Sequence, residues 1–294
     1  MHIPVLAREV MHAFEPRVGC YLDLTLGLGG HASMVAQLFR PKHLFGLDAD
    51  SQMLPHSTGN VRKVLTSEQE FTPINANYSQ VCNVLPPHMH HRFDAVLMDL
   101  GVASPHFDDP KRGMSFMRDG PLDMRLNQHQ KLSAYDIVNT YSETQLGRII
   151  QEYGEERHYR ACARQIVASR TERKGIATTA ELVEVLAPVL GPRRGASHPA
   201  TKVFQALRIE TNDELGHLKT CLPQVVQHLL NPKGGRLAVI SFHTLEDRFV
   251  KECFHEAKLA GLASSVSKKP IVPTEEEIKA NPRARSAKMR VLIK

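Results

Sequence analysis

Apolar residues in the first part of the chain occur in short runs that glycine and charged residues separate. Residues 20–25 and 43–47 are apolar, β-prone runs, and residues 32–39 between them are typical of a helix. A glycine-rich loop at residues 27–31 joins the first run to this helix, and Asp48 follows the second run. The order strand, glycine loop, helix, strand and acid predicts the opening βαβ unit of a nucleotide-binding sheet.

Two more buried-type strands are predicted further along the chain. Residues 93–98 form the first and end at Asp99, whereas residues 236–242 follow a turn with the sequence Asn-Pro-Lys-Gly-Gly. An apolar helix leads into this turn. We expect Pro223 to interrupt that helix and to start a second helical piece.

Between Ser104 and Arg208 no run of strand type occurs, and helical patterns follow one another. Capping boxes are predicted at Ser142 with Gln145 and at Thr178 with Glu181. The chain is therefore expected to be an α/β protein with an all-helical insertion. The predicted domain limits are 1–103 for the first part of the sheet domain, 104–209 for the insertion, and 210–294 for the second part with a basic C-terminal tail.

Charge is unevenly distributed over the 294 residues, whose formal net charge is +6. Residues 268–294 contain eight Lys or Arg and three Glu, which gives +5. Localised positive charge favours a polyanionic partner such as a nucleic acid. We expect residues 266–294 to become ordered only on that partner.

Other compositional features exclude several classes. The five cysteines are scattered without a CxxC motif, which predicts reduced thiols and no metal site. No apolar run approaches the roughly 20 residues of a membrane span, so no membrane partner is expected.

The glycine loop and Asp48 suit a nucleoside cofactor, because loop N–H groups face the ligand and an acid accepts hydrogen bonds from ribose hydroxyls. The loop also fits the dinucleotide pattern G-x-G-x-x-A, so NAD competes with S-adenosylmethionine. The polar loop after Asp99 and the turn at residues 231–235 favour S-adenosylmethionine. Asp23 suits a hydrogen-bonding role behind the methionine end of that cofactor.

Longer motifs run in order along nearly the whole chain and resemble the MraW/RsmH family. These motifs are Gly27-Leu-Gly-Gly-His31, residues 99–113, Asp119-Gly-Pro-Leu-Asp-Met-Arg125, Tyr153-Gly-Glu-Glu-Arg157, His198-Pro-Ala-Thr201, Phe204-Gln-Ala-Leu-Arg208, residues 241–248 and residues 281–288. Family members are S-adenosylmethionine-dependent methyltransferases that act on cytosine N4 in small-subunit ribosomal RNA, with mitochondrial relatives. The resemblance implies a class I, Rossmann-like methyltransferase sheet with a helical substrate-recognition insertion.

The resemblance also implies the residues that bind S-adenosylmethionine, carried over position by position. They are Gly29, Gly30, His31, Asp48, Tyr78, Asp99 and His106. Tyr78 stands where the family usually has Phe, as an aromatic wall for adenine. His106 stands where the family commonly has Gln, and His also donates or accepts a hydrogen bond.

Asp99 is the candidate catalytic residue, because methyl transfer to an amino group needs an acceptor for the N–H hydrogen. The carbonyls of residues 100–104 are the other candidate acceptors. Candidate contacts to the RNA substrate are Arg112, Arg118, Asp123, Arg125, His243 and Arg285. The alternative is a solvated, self-paired loop for the four residues between 112 and 125, a core histidine for His243, and a disordered basic tail for Arg285.

The leading hypothesis is N4-methylation of a cytidine in the decoding region of small-subunit ribosomal RNA. One alternative is a non-catalytic assembly factor of the small subunit that keeps the methyltransferase fold, and a weaker one is an NAD-dependent oxidoreductase. The expected partners are the small ribosomal subunit and its rRNA, and a homodimer is left open. A bacterial chain would be cytoplasmic, and an organellar homologue would lie in the mitochondrial matrix.

Overall fold

The computed structural model describes residues 4–192 and 198–294. The chain divides into two compact units. The first combines Met1–Gly101 with Leu215–Lys294, and the second is Val102–Glu214. The insertion predicted from the sequence covers residues 104–209, within the range of the second unit.

One sheet organises the first unit. Its strands are β1 (Cys20–Asp23), β2 (His43–Asp48), β3 (Glu70–Asn75), β4 (Ala95–Asp99), β5 (Arg236–Ser241), β6 (Ser265–Val266) and β7 (Lys288–Ile293). Their order is β3-β2-β1-β4-β5-β7-β6, with β1 to β5 parallel and β7 antiparallel to both neighbours. The order reverses between β1 and β4, the place where open parallel sheets bind ligands beyond the carboxyl ends of their strands. The expected class I fold is confirmed.

Both faces of the sheet are covered, because neighbouring residues of a strand point to opposite sides. On β1, Leu22 packs into one apolar core and Tyr21 into the other; on β4, Val96 and Leu97 divide in the same way. All four side chains are 0% exposed. Each buried side chain of this size contributes about 1.5–3 kcal/mol. The strand ends that carry the candidate site are therefore supported by closely packed apolar side chains.

The α-helices of the sheet unit alternate with its first strands, as the βαβ pattern predicts, and those of the second unit follow one another directly. They are α1 (Ala7–Phe14), α2 (Gly30–Phe39), α3 (Leu54–Arg62), α4 (Val81–Val84), α5 (Ser104–Asp108), α6 (Ala134–Thr140), α7 (Glu143–Glu152), α8 (Tyr159–Arg173), α9 (Thr179–Leu190), α10 (Thr201–Asn212), α11 (Glu214–Gln224), α12 (Thr244–Leu259) and α13 (Glu275–Ala280). Within the described ranges, no helix is both long and apolar enough to cross a membrane.

The second unit is helical and has its own apolar core, to which Ile137, Ile149, Ile166 and Leu207 contribute at 0% exposure each. The capping boxes predicted at Ser142 and Thr178 are confirmed at the starts of α7 and α9. A further capping box starts α6. These caps satisfy N–H groups at helix ends that otherwise have no partner within the helix.

The expectation that residues 266–294 order only on a partner is wrong. Strand β7 lies inside the sheet between β5 and β6. Its Met289 and Leu292 are 0% exposed and belong to the two cores of the sheet. Burial of these side chains orders the segment without any partner, although its charges make it resemble a solvated tail.

The predicted change at Pro223 lies close to a change of helix type. Pro223 lies inside α11, and the chain continues as a π-helical segment at Val225–Leu229. The N–H of Leu230 reaches the carbonyl of Val225 at 3.2 Å, a bond across five residues. A second helical piece of π type therefore follows α11, which ends one residue after Pro223, and continues the helical path.

Candidate cofactor-binding and catalytic site

The glycine loop between β1 and α2 is shaped by close approach of neighbouring segments. Gly29 has a φ of +75°, and its N–H donates to the carbonyl of Leu26 at 2.7 Å. A Cβ on Gly29 would lie 2.9 Å from Val61 Cγ2, and one on Gly30 would lie 2.7 Å from Pro4 Cγ. No side chain of residues 4–192 or 198–294 caps α2, so its first N–H groups are left at the carboxyl edge of the sheet.

Asp48, at the end of β2, is oriented by the glycine loop. Its Oδ2 accepts from the N–H of Gly27 at 2.8 Å, and its Oδ1 accepts from the N–H of Asp50 at 2.8 Å. The carboxylate is partly exposed. The Gly27 and Asp50 bonds fix the direction of this carboxylate at the end of β2.

A cluster of two acids and one histidine lies where β1, β4 and α2 meet. The Nε2 atom of His31 is 3.6 Å from Asp99 Oδ2, and the two side chains are 7% and 25% exposed. Asp23 is 1% exposed and accepts from the hydroxyl of Tyr21 at 3.0 Å. These residues come from the ends of the two strands at the switch point and from the first turn of α2.

Burial raises the pKa of Asp23 from its ordinary value of 3.8 to about 6. The nearby His31, the N–H of Thr25 and the Tyr21 hydroxyl oppose this rise, and the negative charge of Asp99 adds to it. Burial also raises the pKa of Tyr21, with the charge of Asp23 as the next cause. The cluster thus contains an acid that titrates close to neutral pH.

Three atoms of this cluster are buried and have no hydrogen-bond partner among the described residues: Nδ1 and Nε2 of His31 and Oδ1 of Asp99. Buried polar atoms are normally hydrogen-bonded, so a pair of unsatisfied groups at a sheet edge needs an explanation. A ligand that carries an ammonium, a carboxylate and hydroxyl groups would satisfy them. These donors and acceptors fit S-adenosylmethionine.

Tyr78 and His106 lie in short helical segments of different units. Tyr78 starts a 3₁₀ turn after β3, is partly buried, and its ring meets His217 edge-on with centroids 6.3 Å apart. His106 lies in α5 of the second unit and is 5% exposed. Their assignment to the cofactor stays a prediction.

The loop of the second unit that holds the predicted substrate residues is internally bonded. Arg112 is 6% exposed, and its Nη2 donates to the carbonyls of Arg125 and Leu126, each at 3.0 Å. Arg125 forms two bonds to the carboxylate of Asp123, at 3.0 and 2.7 Å. Arg118 is exposed and donates to the Asp108 carbonyl at 3.3 Å. Arg112, Asp123 and Arg125 therefore stabilise the conformation of the loop, and the charge of Arg118 is exposed to solvent.

The predicted substrate residues of the first unit differ in their surroundings. His243 is the N-cap of α12, where its side chain and that of Glu246 form a capping box, and His243 Nε2 lies 3.2 Å from Glu246 Oε1. Arg285 is exposed in a 3₁₀ segment after α13. Arg290 is 6% exposed and pairs with Asp247 at 2.7 Å, so this cation of the basic tail stabilises the fold.

Sequence reasoning missed two residues of the site, Tyr21 and Thr25. Tyr21 is two residues from Asp23 on the same face of β1, a spacing that could have indicated their contact. Thr25 Oγ1 accepts from the N–H of Asp99 at 2.6 Å. This contact joins positions 74 residues apart, and no local pattern predicts it.

The reversal of strand order, the glycine loop and the acids at the ends of β1, β2 and β4 define a class I methyltransferase. The chain matches the MraW methylase family over residues 1–294, and it belongs to that family. The expected family and its S-adenosylmethionine cofactor are thereby confirmed.

Relatives cover the whole chain. A protein of Elusimicrobium minutum, named Ribosomal RNA small subunit methyltransferase H, is 44% identical over 296 residues, which span 100% of this chain and 98% of that protein. A protein of the same name from Crocosphaera subtropica is 42% identical over 294 residues, 99% of this chain and 88% of the relative. A solved Streptococcus mutans structure described as a methyltransferase with SAH is 9% identical, with a TM-score of 0.44, and aligns over 100% of this chain and 99% of that one.

Proposed function

We propose that this protein transfers the methyl group of S-adenosylmethionine to N4 of a cytidine in the decoding region of small-subunit ribosomal RNA. The observation that carries the proposal is the His31–Asp99 pair at the switch point, in which Nδ1 and Nε2 of His31 and Oδ1 of Asp99 are buried without a hydrogen-bond partner among the described residues. The names of the relatives support ribosomal RNA as the substrate. The small ribosomal subunit is the proposed partner.

The residues proposed to hold the cofactor follow from the placement of each group. The backbone N–H of Gly30 and the ring of His31 would bind its methionine end, and Gly29, whose own N–H is bonded to Leu26, would hold the loop turned toward the ligand. Asp48, which the loop orients at the end of β2, would accept from the ribose hydroxyls. Tyr78 would lie against the adenine, and His106 remains in the set through the family resemblance. When bound, S-adenosylmethionine supplies an electrophilic methyl group.

The proposed chemistry of Asp99 follows from the weak nucleophilicity of the cytosine amino group, whose lone pair is delocalised into the ring. An acceptor for one N–H hydrogen lets the nitrogen become pyramidal and attack. Asp99 Oδ1 has no hydrogen-bond partner among the described residues and is suited to accept that hydrogen. The negative charge of Asp99 also stabilises the positive charge that develops on N4, a preorganised electrostatic effect.

The proposed RNA contacts divide by exposure. Arg118 and Arg285 are exposed cations and would contact phosphates. Arg112 and the Asp123–Arg125 pair would keep the loop in one shape, which lowers the entropy cost of binding a flipped cytidine. His243 would act on the substrate only through the geometry of the α12 start that it caps.

Two measurements test this proposal. Calorimetry compares binding of S-adenosylmethionine with binding of NAD. Radiolabelled methyl groups are then offered with immature small subunits, and mass spectrometry of the digested RNA identifies the modified nucleoside. We expect binding of S-adenosylmethionine alone and formation of N4-methylcytidine. Binding without transfer would favour the assembly-factor alternative, a different methylated nucleoside would overturn the N4 assignment, and binding of NAD would overturn the proposal.

A further inference from the structure

Thr25 makes contacts to both acid-bearing strands of the site. It lies two residues beyond the end of β1, where the chain turns into the glycine loop. Its N–H donates to Asp23 Oδ1 at 3.1 Å, and its Oγ1 accepts from the N–H of Asp99 at 2.6 Å. One residue therefore connects the buried acid of β1 with the candidate catalytic acid of β4.

The hydroxyl of Thr25 takes the place of a main-chain acceptor in the sheet. The pairing of β1 with β4 ends at Asp23 opposite Leu97, and the N–H of Leu24 still donates to the Leu97 carbonyl at 2.9 Å. At the next step along β4, the N–H of Asp99 meets a side-chain oxygen. Hydrogen bonding between these two segments thus continues for one more bond beyond the end of β1.

We propose that Thr25 is a positioning residue for Asp99, whose backbone it fixes so that the carboxylate leaves β4 in one direction. The proposal rests on the proposed function, in which Asp99 accepts a hydrogen from the cytosine amino group. Hydrogen-bond acceptors at a reacting centre need to be held within a fraction of an ångström, because small misplacements slow the reaction strongly.

The residue type suits this role. A β-branched side chain has few rotamers, so its Oγ1 is held in place by the local backbone. Valine has the same shape but no acceptor, and it would leave the N–H of Asp99 without a partner. Serine keeps the acceptor and loses only the methyl group.

The test compares Thr25→Val with Thr25→Ser, and Thr72→Val is the matched control. Thr72 is a threonine of the same sheet with similar partial exposure, on strand β3. Amide hydrogen exchange at Asp99 reports the bond directly, without any assay of activity. In Thr25→Val we expect exchange at Asp99 to become about tenfold faster and kcat at saturating cofactor and RNA to fall about tenfold. Thr25→Ser and Thr72→Val should stay within about threefold of the wild type in both readouts.

A double-mutant cycle separates positioning from a general structural role. In an Asp99→Asn background the further loss of kcat caused by Thr25→Val should shrink, because both changes act on the same group. Equal losses in the two backgrounds, or unchanged exchange at Asp99, would overturn the proposal. Thr25→Cys, with only a weak acceptor, supplies the same comparison if the valine variant is not recovered folded. A wild-type protein that transfers no methyl group would contradict the proposed function, whereas the exchange measurement would still decide the role of Thr25.

Discussion

Asp99 is the residue whose geometry bears most directly on the reaction, since Oδ1 is unsatisfied within the described chain and Oδ2 lies 3.6 Å from His31 Nε2. Replacing Asp99 by Asn keeps the shape and one acceptor but removes the negative charge. We expect kcat to fall at least about a hundredfold, the scale of losing one preorganised electrostatic group. The Kd for S-adenosylmethionine should change much less, because the charge acts mainly on the transition state.

Asp94→Asn is a matched control for that variant. Asp94 immediately precedes β4 at its opposite end, and its carboxylate accepts from the N–H groups of Gly19 and Cys20. This control should lower the melting temperature and leave kcat near the wild-type value. Weak cofactor binding with a normal saturated rate in Asp99→Asn would instead assign Asp99 to holding the cofactor.

A second prediction at the residue scale concerns Asp48 and the affinity for the cofactor. Asp48→Ala removes a charged acceptor, and each hydrogen bond to such a group contributes roughly 1.5–3 kcal/mol. We expect the Kd for S-adenosylmethionine, measured by calorimetry, to rise at least about tenfold. Asp48→Asn is the graded control, because one acceptor oxygen remains. An unchanged Kd in Asp48→Ala contradicts the ribose assignment.

Asp23 makes stability depend on pH in a defined direction. Its pKa is raised from 3.8 to about 6 in the folded protein, so the folded state holds this proton more tightly than the unfolded state does. Stability from this group is therefore fully present below pH 3.8 and is lost as the pH rises to 6. By linkage the loss amounts to about 3 kcal/mol.

The measurement compares urea unfolding of the wild type and Asp23→Asn between pH 4 and 7. The difference in unfolding free energy isolates Asp23 from the other carboxylates, several of which have lowered pKa values, including Asp119 and Asp136. We expect the wild type to lose stability relative to the variant as the pH rises. Parallel curves would show that Asp23 keeps an ordinary pKa.

At the scale of elements, the position of β7 in the sheet predicts how removal of the C-terminal segment affects stability. Deleting residues 266–294 removes a strand from the middle of the β5-β7-β6 order and exposes β5, together with apolar groups that covered the cores. We expect the truncated protein to aggregate or to melt at least about 10 °C lower, which circular dichroism and light scattering would measure. Unchanged melting and cofactor binding would contradict this role of β7.

Elements with a local signal were predictable from the sequence, and those that depend on distant contacts were not. The glycine loop, the β1 and β2 runs and the boxes at Ser142 and Thr178 follow from periodicity and capping chemistry. Strand β7 begins with alternating charged and apolar residues in a basic segment, and its pairing with β5 and the Arg290–Asp247 contact place it in the sheet. Strand β3 was not predicted for a similar reason, since Pro73 lies within it.

At the scale of the whole molecule, strand order explains why parts of the candidate site could be predicted. Acids at the carboxyl ends of parallel strands lie at the same edge of a sheet, so Asp48 and Asp99, on the two neighbours of β1, were accessible to sequence reasoning. The Thr25 contact to Asp99 and the burial of Arg112 and Arg290 were not, because they depend on how distant segments pack. A count of charges also does not distinguish buried ion pairs from exposed cations.

That distinction changes how the net charge of +6 is expected to act on RNA. In the basic C-terminal segment, Arg290 is paired with Asp247, and the Nζ of Lys294 donates to the carbonyl of Val226 at 2.6 Å. Lys268, Lys269 and Arg285 are exposed and are the cations expected to contact phosphates. Unlike truncation, replacing them leaves β7 in the sheet.

We therefore expect the triple variant Lys268→Gln, Lys269→Gln and Arg285→Gln to bind small-subunit RNA more weakly at low salt, with unchanged affinity for S-adenosylmethionine. Each lost phosphate contact should flatten the plot of log affinity against log salt by about 0.7–0.9. Arg17, Arg62 and Lys63 are also exposed in the first unit, and their replacement by Gln is the charge-matched control. RNA affinities measured from 50 to 200 mM salt give the slope for each variant, and the two slopes are compared. Equal flattening in both would indicate attraction by net charge alone, whereas flattening confined to the C-terminal set would locate the RNA contact on that segment.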